Sequence, residues 1–403
     1  MGENSVFGKL KGDRSIWLIV LFLVMISIAA VYSSSSTLAH RSNKPVYDIL
    51  YGHLKYVLLG FTALYVASRI PLKFYRKLIA AGLVICIVTL ALTPFIGKTV
   101  NGADRWINIF GFDFQPAEAA KVALILYIAK IFEISKLETF RQFMWLVLFP
   151  VGLTVVLILI GSVSAAALLT FTVLLLFIIA GVKWGYIFKS GLIGLATLAV
   201  IVGLYFSFGY FPRVGTGIKR IERFIDKKDP DLKQLTPQEI QEKADKTYQE
   251  KMAKLAISGV GVLGKGPGNS TQRYLLPHPY SDFIFAIIVE EWGLIGGILV
   301  IMLYLVFLFR SIQLARKCQH TFTMMTVIGL ALLITTQAFL HISVNVGIWP
   351  VTGQTLPLIS LGGSSYLFMS ISFGIILAVS RYIEKQNEIE EKNKTEEEYG
   401  KEI

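Results

Sequence analysis

Apolar runs of roughly 17–25 residues, the length a helix needs to cross a bilayer, recur from one end of this chain to the other. Ten are expected to span: 16–33, 50–68, 77–96, 116–133, 143–160, 163–181, 187–208, 283–309, 322–345 and 365–383. They leave no room for a soluble domain of ordinary size. A composition of 54% hydrophobic against 16% charged residues, with mean hydropathy +0.61, points the same way. The expected fold is an all-α polytopic membrane protein with about ten transmembrane helices and one long extracytoplasmic loop containing a helix. The first run follows Lys9, Lys11 and Arg14 as a signal peptide would, but so many later spans favour an uncleaved first helix.

A net charge of +12 suggests nucleic acid only until the basic residues are placed. They gather in alternate loops: Lys9, Lys11 and Arg14; Arg69, Lys73, Arg76 and Lys77; Lys130, Lys136 and Arg141; Lys183 and Lys189; Arg310, Arg316 and Lys317; Arg381 and Lys385. By the positive-inside rule these loops and both termini are cytoplasmic. No nucleic-acid partner is expected. The N-terminal segment 1–15 is then cytoplasmic, 16–383 is the membrane domain, and the acid-rich tail 384–403 reads as cytoplasmic and disordered. The loops 34–49, 97–115, 209–282 and 346–364 fall outside, and they are richer in Gly, Pro, Asn and Trp. Cys86 and Cys318 form neither a metal spacing nor a plausible disulfide.

The most demanding stretch runs from Tyr274 to Gly297, YLLPHPYSDFIFAIIVEEWGLIGG, where Asp282, Glu290 and Glu291 sit at or inside the mouth of a span. A charge at the centre of a membrane helix costs about 2.5–3.5 kcal/mol on the insertion scale, and less near the interface. Asp282 is either a helix cap or a reactive carboxylate at the membrane surface. Upstream, 236–257 reads as a helix: Thr236-Pro237-Gln238-Glu239 matches a capping box, and Ile240, Ala244, Tyr248, Met252 and Leu255 recur at helical spacing. It is a lid, a partner contact or a solvated surface helix.

Gly259 to Gly264 satisfies GxGxxG, and Gly259 to Lys265 begins a P-loop. Neither has its context, since no βαβ unit surrounds the glycines and Gly266 stands where a P-loop needs Ser or Thr. What survives is a backbone that approaches a ligand closely, with Lys265 able to hold a phosphate; a plain flexible link is the alternative. In QPAEAAK, Gln115 to Lys121, Glu118 and Lys121 share a helix face, either neutralising each other or serving a site. Before them Arg105 and Trp106 supply a cation and an interfacial aromatic. Arg105 and Lys121 give fixed cations near the outer surface, as a lipid-borne phosphate requires. Trp349 to Pro357 and Gly362 to Ser365 form a small-residue, hydroxyl-rich turn of re-entrant type. His278, and His341 with Asn345 one turn on, lack metal-ligand company and read as satisfied polar residues.

Together these motifs resemble a known family. NGADRWI (101–107), QPAEAAK (115–121), GKGPGNS (264–270), SDFIFAIIVEEWGLIG (281–296) and TLPLISLGGSS (355–365) are similar to the signatures of the SEDS family, of FtsW and RodA type, and the resemblance covers nearly the whole chain. It implies a peptidoglycan glycosyltransferase that polymerises lipid II at the outer face of the bacterial cytoplasmic membrane. It also implies a class B penicillin-binding protein as transpeptidase partner, beside other division or elongation membrane proteins. In the family's terms Asp282 is the essential acid, and Arg105 and Lys121 are the matching cations. Lys265, Ser364 and Ser365 join the expected substrate-binding set; Trp106, Glu118, Glu290, Glu291 and Asn345 are expected to support it.

Two departures matter. Gly161-Ser162-Val163-Ser164 stands where many members carry an acidic motif, so no acid is assigned there, and Leu361 replaces a usual Tyr. The wording TGQTLPLISLGG favours the division branch over the elongation branch. The implied transfer inverts an anomeric centre. It needs a base for the attacking hydroxyl, for which Asp282 is the candidate, and cations for the departing diphosphate. Arg105, Lys121 and Lys265 are candidates for the second role. No metal ligand is assigned, and a divalent cation, magnesium or manganese, at the diphosphate stays open. A lipid II flippase and a non-enzymatic division scaffold are the competing readings.

Overall fold

Each long apolar run becomes the helix that its length requires. The structure is a computed structural model that describes residues 12–42, 45–100, 103–109, 111–225, 248–249, 251–276 and 279–399. In chain order the elements begin with α1 (Arg14–Ser42), α2 (Val46–Arg69) and α3 (Leu72–Ile96). Three short strands follow: β1 (Lys98–Val100), β2 (Ala103–Ile109) and β3 (Phe112–Phe114). Then come α4 (Pro116–Ile134), and α5 (Phe140–Phe143), which passes through a π-helical stretch into α6 (Phe149–Gly161). Next are α7 (Val163–Ile179), α8 (Trp184–Phe208), α9 (Pro212–Ile225) and the short α10 (251–258). The chain ends with α11 (Ile284–Arg316), α12 (Thr321–Asn345) and α13 (Gly363–Tyr399).

Local chemistry sets many of the helix starts. Asp13 Oδ1 accepts the Ser15 and Ile16 N–H groups at 2.8 and 3.2 Å and so caps α1. Pro45 and Pro71 precede α2 and α3 in extended conformation, and Pro116 takes the first turn of α4, where no N–H is missed. Thr139 and Gln142 form a reciprocal capping box before α5.

A helix covers each of the ten runs expected to span. Among the described residues eight helices are long and apolar enough to cross a membrane on those grounds alone. The other two differ for evident reasons: α4 carries Glu118, Lys121, Lys130 and Glu133, and α7 is only 17 residues long. The bundle is built around α12, most of which is buried, whereas α8 at the periphery is almost wholly exposed. Alongside α12 pack α4, α7, α11 and α13, and α2 lies along α13.

Three features depart from expectation. A three-stranded antiparallel sheet, order β1-β2-β3, interrupts the all-α design in the loop after α3. Its alternation is too short to stand out in a helical chain, but Lys98 pairs with Trp106 and Ile107 with Phe114. A helix, α9, occupies the start of the long loop. The capping box at 236–239 and most of the expected 236–257 helix lie outside the described residues; the described part, 251–258, is helical. Finally, α13 continues to Tyr399 through the tail expected to be disordered. Glu388 and Lys392 stand four apart there, as do Glu390 and Lys394, a spacing that supports an exposed helix.

Between α12 and α13 the chain turns back as a non-helical segment over 350–362. Its carbonyls would be costly at membrane depth if unmet. They are met by side chains of the spans. His341 Nδ1 donates to the Gln354 carbonyl at 2.8 Å, Gln337 Nε2 to Thr355 at 3.0 Å, and Ser27 Oγ to Ile359 at 2.8 Å. The Tyr304 hydroxyl donates to the Pro357 carbonyl. The re-entrant reading of this segment therefore has a physical basis, with α1, α11 and α12 each contributing donors.

Candidate active site

Asp282 lies in the turn that leads into α11, and its backbone is held from two directions. Asn345, at the end of α12, donates from Nδ2 to the Asp282 carbonyl at 3.1 Å and accepts the Ala286 N–H at 3.0 Å. The Ser360 hydroxyl donates to the Ser281 carbonyl at 2.8 Å, and Leu361 N–H to the Tyr280 carbonyl at 3.0 Å. The carboxylate is partly exposed, with the Ser281 hydroxyl 3.2 Å from Oδ1. Gly353 faces it: its φ is +67°, and a Cβ there would lie 3.6 Å from Oδ2. Glycine suits that place by conformation, since 3.6 Å would be an ordinary contact but the positive φ strains any other residue.

Arg105, from β2, brings a guanidinium within electrostatic range of Asp282. Its basicity is held below the ordinary arginine value by burial first and by the neighbouring Arg213 cation second, and the Asp282 charge opposes both. The guanidinium heads a cleft between α3, α4 and α6 that is lined by Leu90, Pro94, Gln115, Leu157, Ile160 and Ser162 among others. From α9, Arg220 Nη1 reaches the Ser164 hydroxyl at 3.3 Å and the Thr352 carbonyl at 3.5 Å.

Two further polar clusters are closed on themselves. Lys121 is fully buried, with Nζ 2.8 Å from Glu118 Oε1 and 3.0 Å from Gln337 Oε1. Gln337 donates to the Thr355 carbonyl, Thr355 Oγ1 meets Ser365 Oγ at 2.8 Å, and Ser365 Oγ lies 3.4 Å from Glu118 Oε2. A ring through α4, α12, the re-entrant segment and α13 results. Ser364 accepts the Gln115 N–H at 3.2 Å beside it. In the second cluster, Glu290 is fully buried and accepts Lys265 Nζ at 2.6 Å, Thr271 N and Oγ1 at 3.1 and 2.9 Å, Gln272 N at 3.3 Å, and the Ser270 hydroxyl. The strap this makes crosses a break in α11 at Gly293, where φ is +70° and any Cβ would strike the Val262 carbonyl. Glu291 takes the Ser33 hydroxyl and lies 3.9 Å from Arg273.

Residues 13–385 match the family of cell cycle proteins that joins FtsW, RodA and SpoVE. The chain belongs to this family. It is 31% identical over 378 residues to a probable peptidoglycan glycosyltransferase FtsW of Geobacter sp. (strain M18), covering 91% of this chain and 96% of that one. To stage V sporulation protein E of Bacillus subtilis it is 30% identical over 381 residues, covering 93% and 98%. Among solved structures it resembles a chain of a peptidoglycan synthase complex that coordinates polymerization and crosslinking, with a TM-score of 0.71 at 24% identity and coverage of 93% and 99%. It also resembles the rod shape determining protein RodA of Thermus thermophilus, with a TM-score of 0.63 at 23% identity and coverage of 93% and 98%. These two structural likenesses establish the fold.

Placed on this FtsW/RodA fold, the residues singled out from sequence separate into groups. Asp282 and Arg105 come together. Lys121, Glu118 and Ser365 form the buried ring, and Lys265 with Glu290 forms the strap, so both lysines direct their charge at an acid of the protein itself. Trp106 is partly buried on β2, and Asn345 holds the Asp282 turn. His278 lies outside the described residues. Among the described residues no three His, Cys, Asp or Glu side chains gather as a metal site would require. Sequence reasoning missed Arg213 and Arg220. Their signal was there, as two arginines seven apart with Gly217 between them on one helical face, but Gly215 and Gly217 disguise the helix.

Proposed function

We propose that this protein is a peptidoglycan glycosyltransferase that polymerises lipid II at the outer face of the cytoplasmic membrane, with Asp282 as general base. The observation that carries the reading is a partly exposed Asp282, its turn clamped by Asn345 and Ser360 and within electrostatic range of the cleft-lining Arg105, in a chain of this family. The alternation of basic loops supports the outer location and the cytoplasmic termini. In the proposed step Asp282 takes the proton of the acceptor hydroxyl while that oxygen bonds the anomeric carbon. The bond from that carbon to the diphosphate breaks with inversion. Arg105 stabilises the charge that develops on the leaving diphosphate. The position of Asp282 in a turn held by Asn345 and Ser360 suits a base that must meet its substrate in one geometry.

In this reading Lys121 and Lys265 support the site from their own clusters. A magnesium or manganese ion, if it enters with the diphosphate, would have Asp282 as the site's carboxylate to hold it and would supply charge neutralisation there. The relatives named FtsW support a role in division, and the likeness to a chain of a synthase complex supports a class B penicillin-binding protein as partner. The test is direct. Purified protein, with and without its transpeptidase, is given lipid II, and glycan ladders are expected from wild type and not from Asp282→Asn. Normal polymer from that variant would remove the base assignment, and lipid movement between leaflets without polymer would replace the reading with a flippase.

A further inference from the structure

The helix α9 is divided lengthwise by chemistry. Val214 is buried and Ile218 packs on the core, while Ile221 and Ile225 are 55% and 75% exposed. Exposed isoleucines on a helix this amphipathic belong at the boundary of lipid headgroups and acyl chains. Its other face carries Arg213, Gly217 and Arg220, the two arginines about 10 Å apart along the axis. A Cβ on Gly217 would sit 3.3 Å from Val163, so α9 comes close to the start of α7. That approach lets Arg220 reach Ser164 and the Thr352 carbonyl, both neutral acceptors. Thr352 adjoins Gly353, which faces the Asp282 carboxylate.

Three guanidiniums thus stand on the Asp282 side of the molecule: Arg105 from β2, within electrostatic range of it, Arg213 from α9, whose charge lowers the basicity of Arg105, and Arg220 from α9, on the carbonyl next to Gly353. The Arg105 Nε is buried without a hydrogen-bond partner among the described residues. Cations held together in a partly buried place are stabilised when an anion sits between them. Guanidinium forks match phosphate oxygens in pairs, which an ammonium cannot do. The level of α9, at the headgroup boundary, is where a lipid-borne phosphate lies.

We propose that Arg213 and Arg220 bind the diphosphate of a polyprenyl diphosphate substrate, holding it beside Arg105 and Asp282. This assignment rests on the lipid II reading above, and α9 becomes the anion-binding element of the site.

The experiment uses the full-length protein in phosphatidylcholine nanodiscs, titrated with a fluorescent polyprenyl diphosphate and no acceptor. Wild type is expected to bind. Arg213→Gln and Arg220→Gln are each expected to raise Kd about tenfold or more, as loss of a charge-assisted contact does. Arg213→Lys is expected to recover part of the loss. Lys219→Gln removes a charge from the exposed side of the same helix and is expected to leave Kd unchanged. Wild-type Kd in the double glutamine variant, or an equal loss in Lys219→Gln, overturns the proposal. So does phosphatidylglycerol that displaces the probe as well as unlabelled polyprenyl diphosphate does. Wild type that binds in this way yet makes no glycan from lipid II overturns the catalytic reading while leaving the diphosphate site in place. A melting temperature for each variant separates lost binding from lost fold.

Discussion

Asp282 and Glu290 lie on one continuous stretch of chain, yet they meet cations in opposite ways. Glu290 is sealed at 0% exposure and takes donors from Lys265, Ser270, Thr271 and Gln272. Asp282 is partly exposed, and the cation within electrostatic range of it, Arg105 of β2, has Arg213 of α9 as a neighbour in turn. A saturated carboxylate has no lone pair to offer a substrate proton. Asp282, at the surface of the bundle, has its backbone clamped and its side chain partly exposed. The Glu118–Lys121 ring is of the sealed kind, so the contrast sets two sealed acids against a partly exposed one, the acid proposed for the chemistry.

That contrast can be broken most decisively at its two ends. Asp282→Asn is expected to lower polymerisation by about 10²–10⁴-fold, the range for loss of a general base, with an unchanged melting temperature. A matching fall in thermal stability would place Asp282 with the structural acids. Next in size is Lys121→Met, which strands Glu118 in the core and is expected to cost about 3–5 kcal/mol. The double variant Glu118→Gln with Lys121→Met should regain much of that loss in detergent unfolding experiments. If it does not, the ring is more than a neutralised pair.

A smaller effect is expected at the strap. Glu290→Gln keeps one acceptor oxygen but loses the charge that Lys265 faces, a loss of about 1.5–3 kcal/mol. Hydrogen exchange should quicken at the amides of Lys265, Gly266 and Thr271, which the strap protects. Exchange unchanged from wild type would show that Gly293 and its neighbours hold the loop without the acid. The smallest is Tyr304→Phe, which removes the donor to the Pro357 carbonyl and should cost about 1 kcal/mol while activity per folded molecule stays the same.

Much of the fold was legible because spanning length and charge bias are local properties. Even α4, with four charged residues, is a helix where a span was expected, since Pro116 and its apolar run marked the start. What escaped detection was either short or glycine-broken. The strands β1 to β3 are too brief to show a period, and α9 hides behind Gly215 and Gly217. In the site, Asp282 announced itself as a charge at the mouth of an apolar run, and Arg105 as a cation beside Trp106 in an outer loop. Gln337 and Thr355 did not, because a neutral polar residue in a span gives no hint of what it will face.

The amino-acid sequence by itself determined where the long apolar helices form, to within a few residues, and which acids would need an explanation. Those outcomes follow from the free energy of placing apolar and charged groups along one run of chain. Only the tertiary structure decided which acid meets which cation. Lys121 finds Gln337 across 216 positions, and Ser365 finds Glu118 across 247. Such pairings depend on how helices stack around α12, and no local pattern encodes them. The packing separates the sealed acids from Asp282.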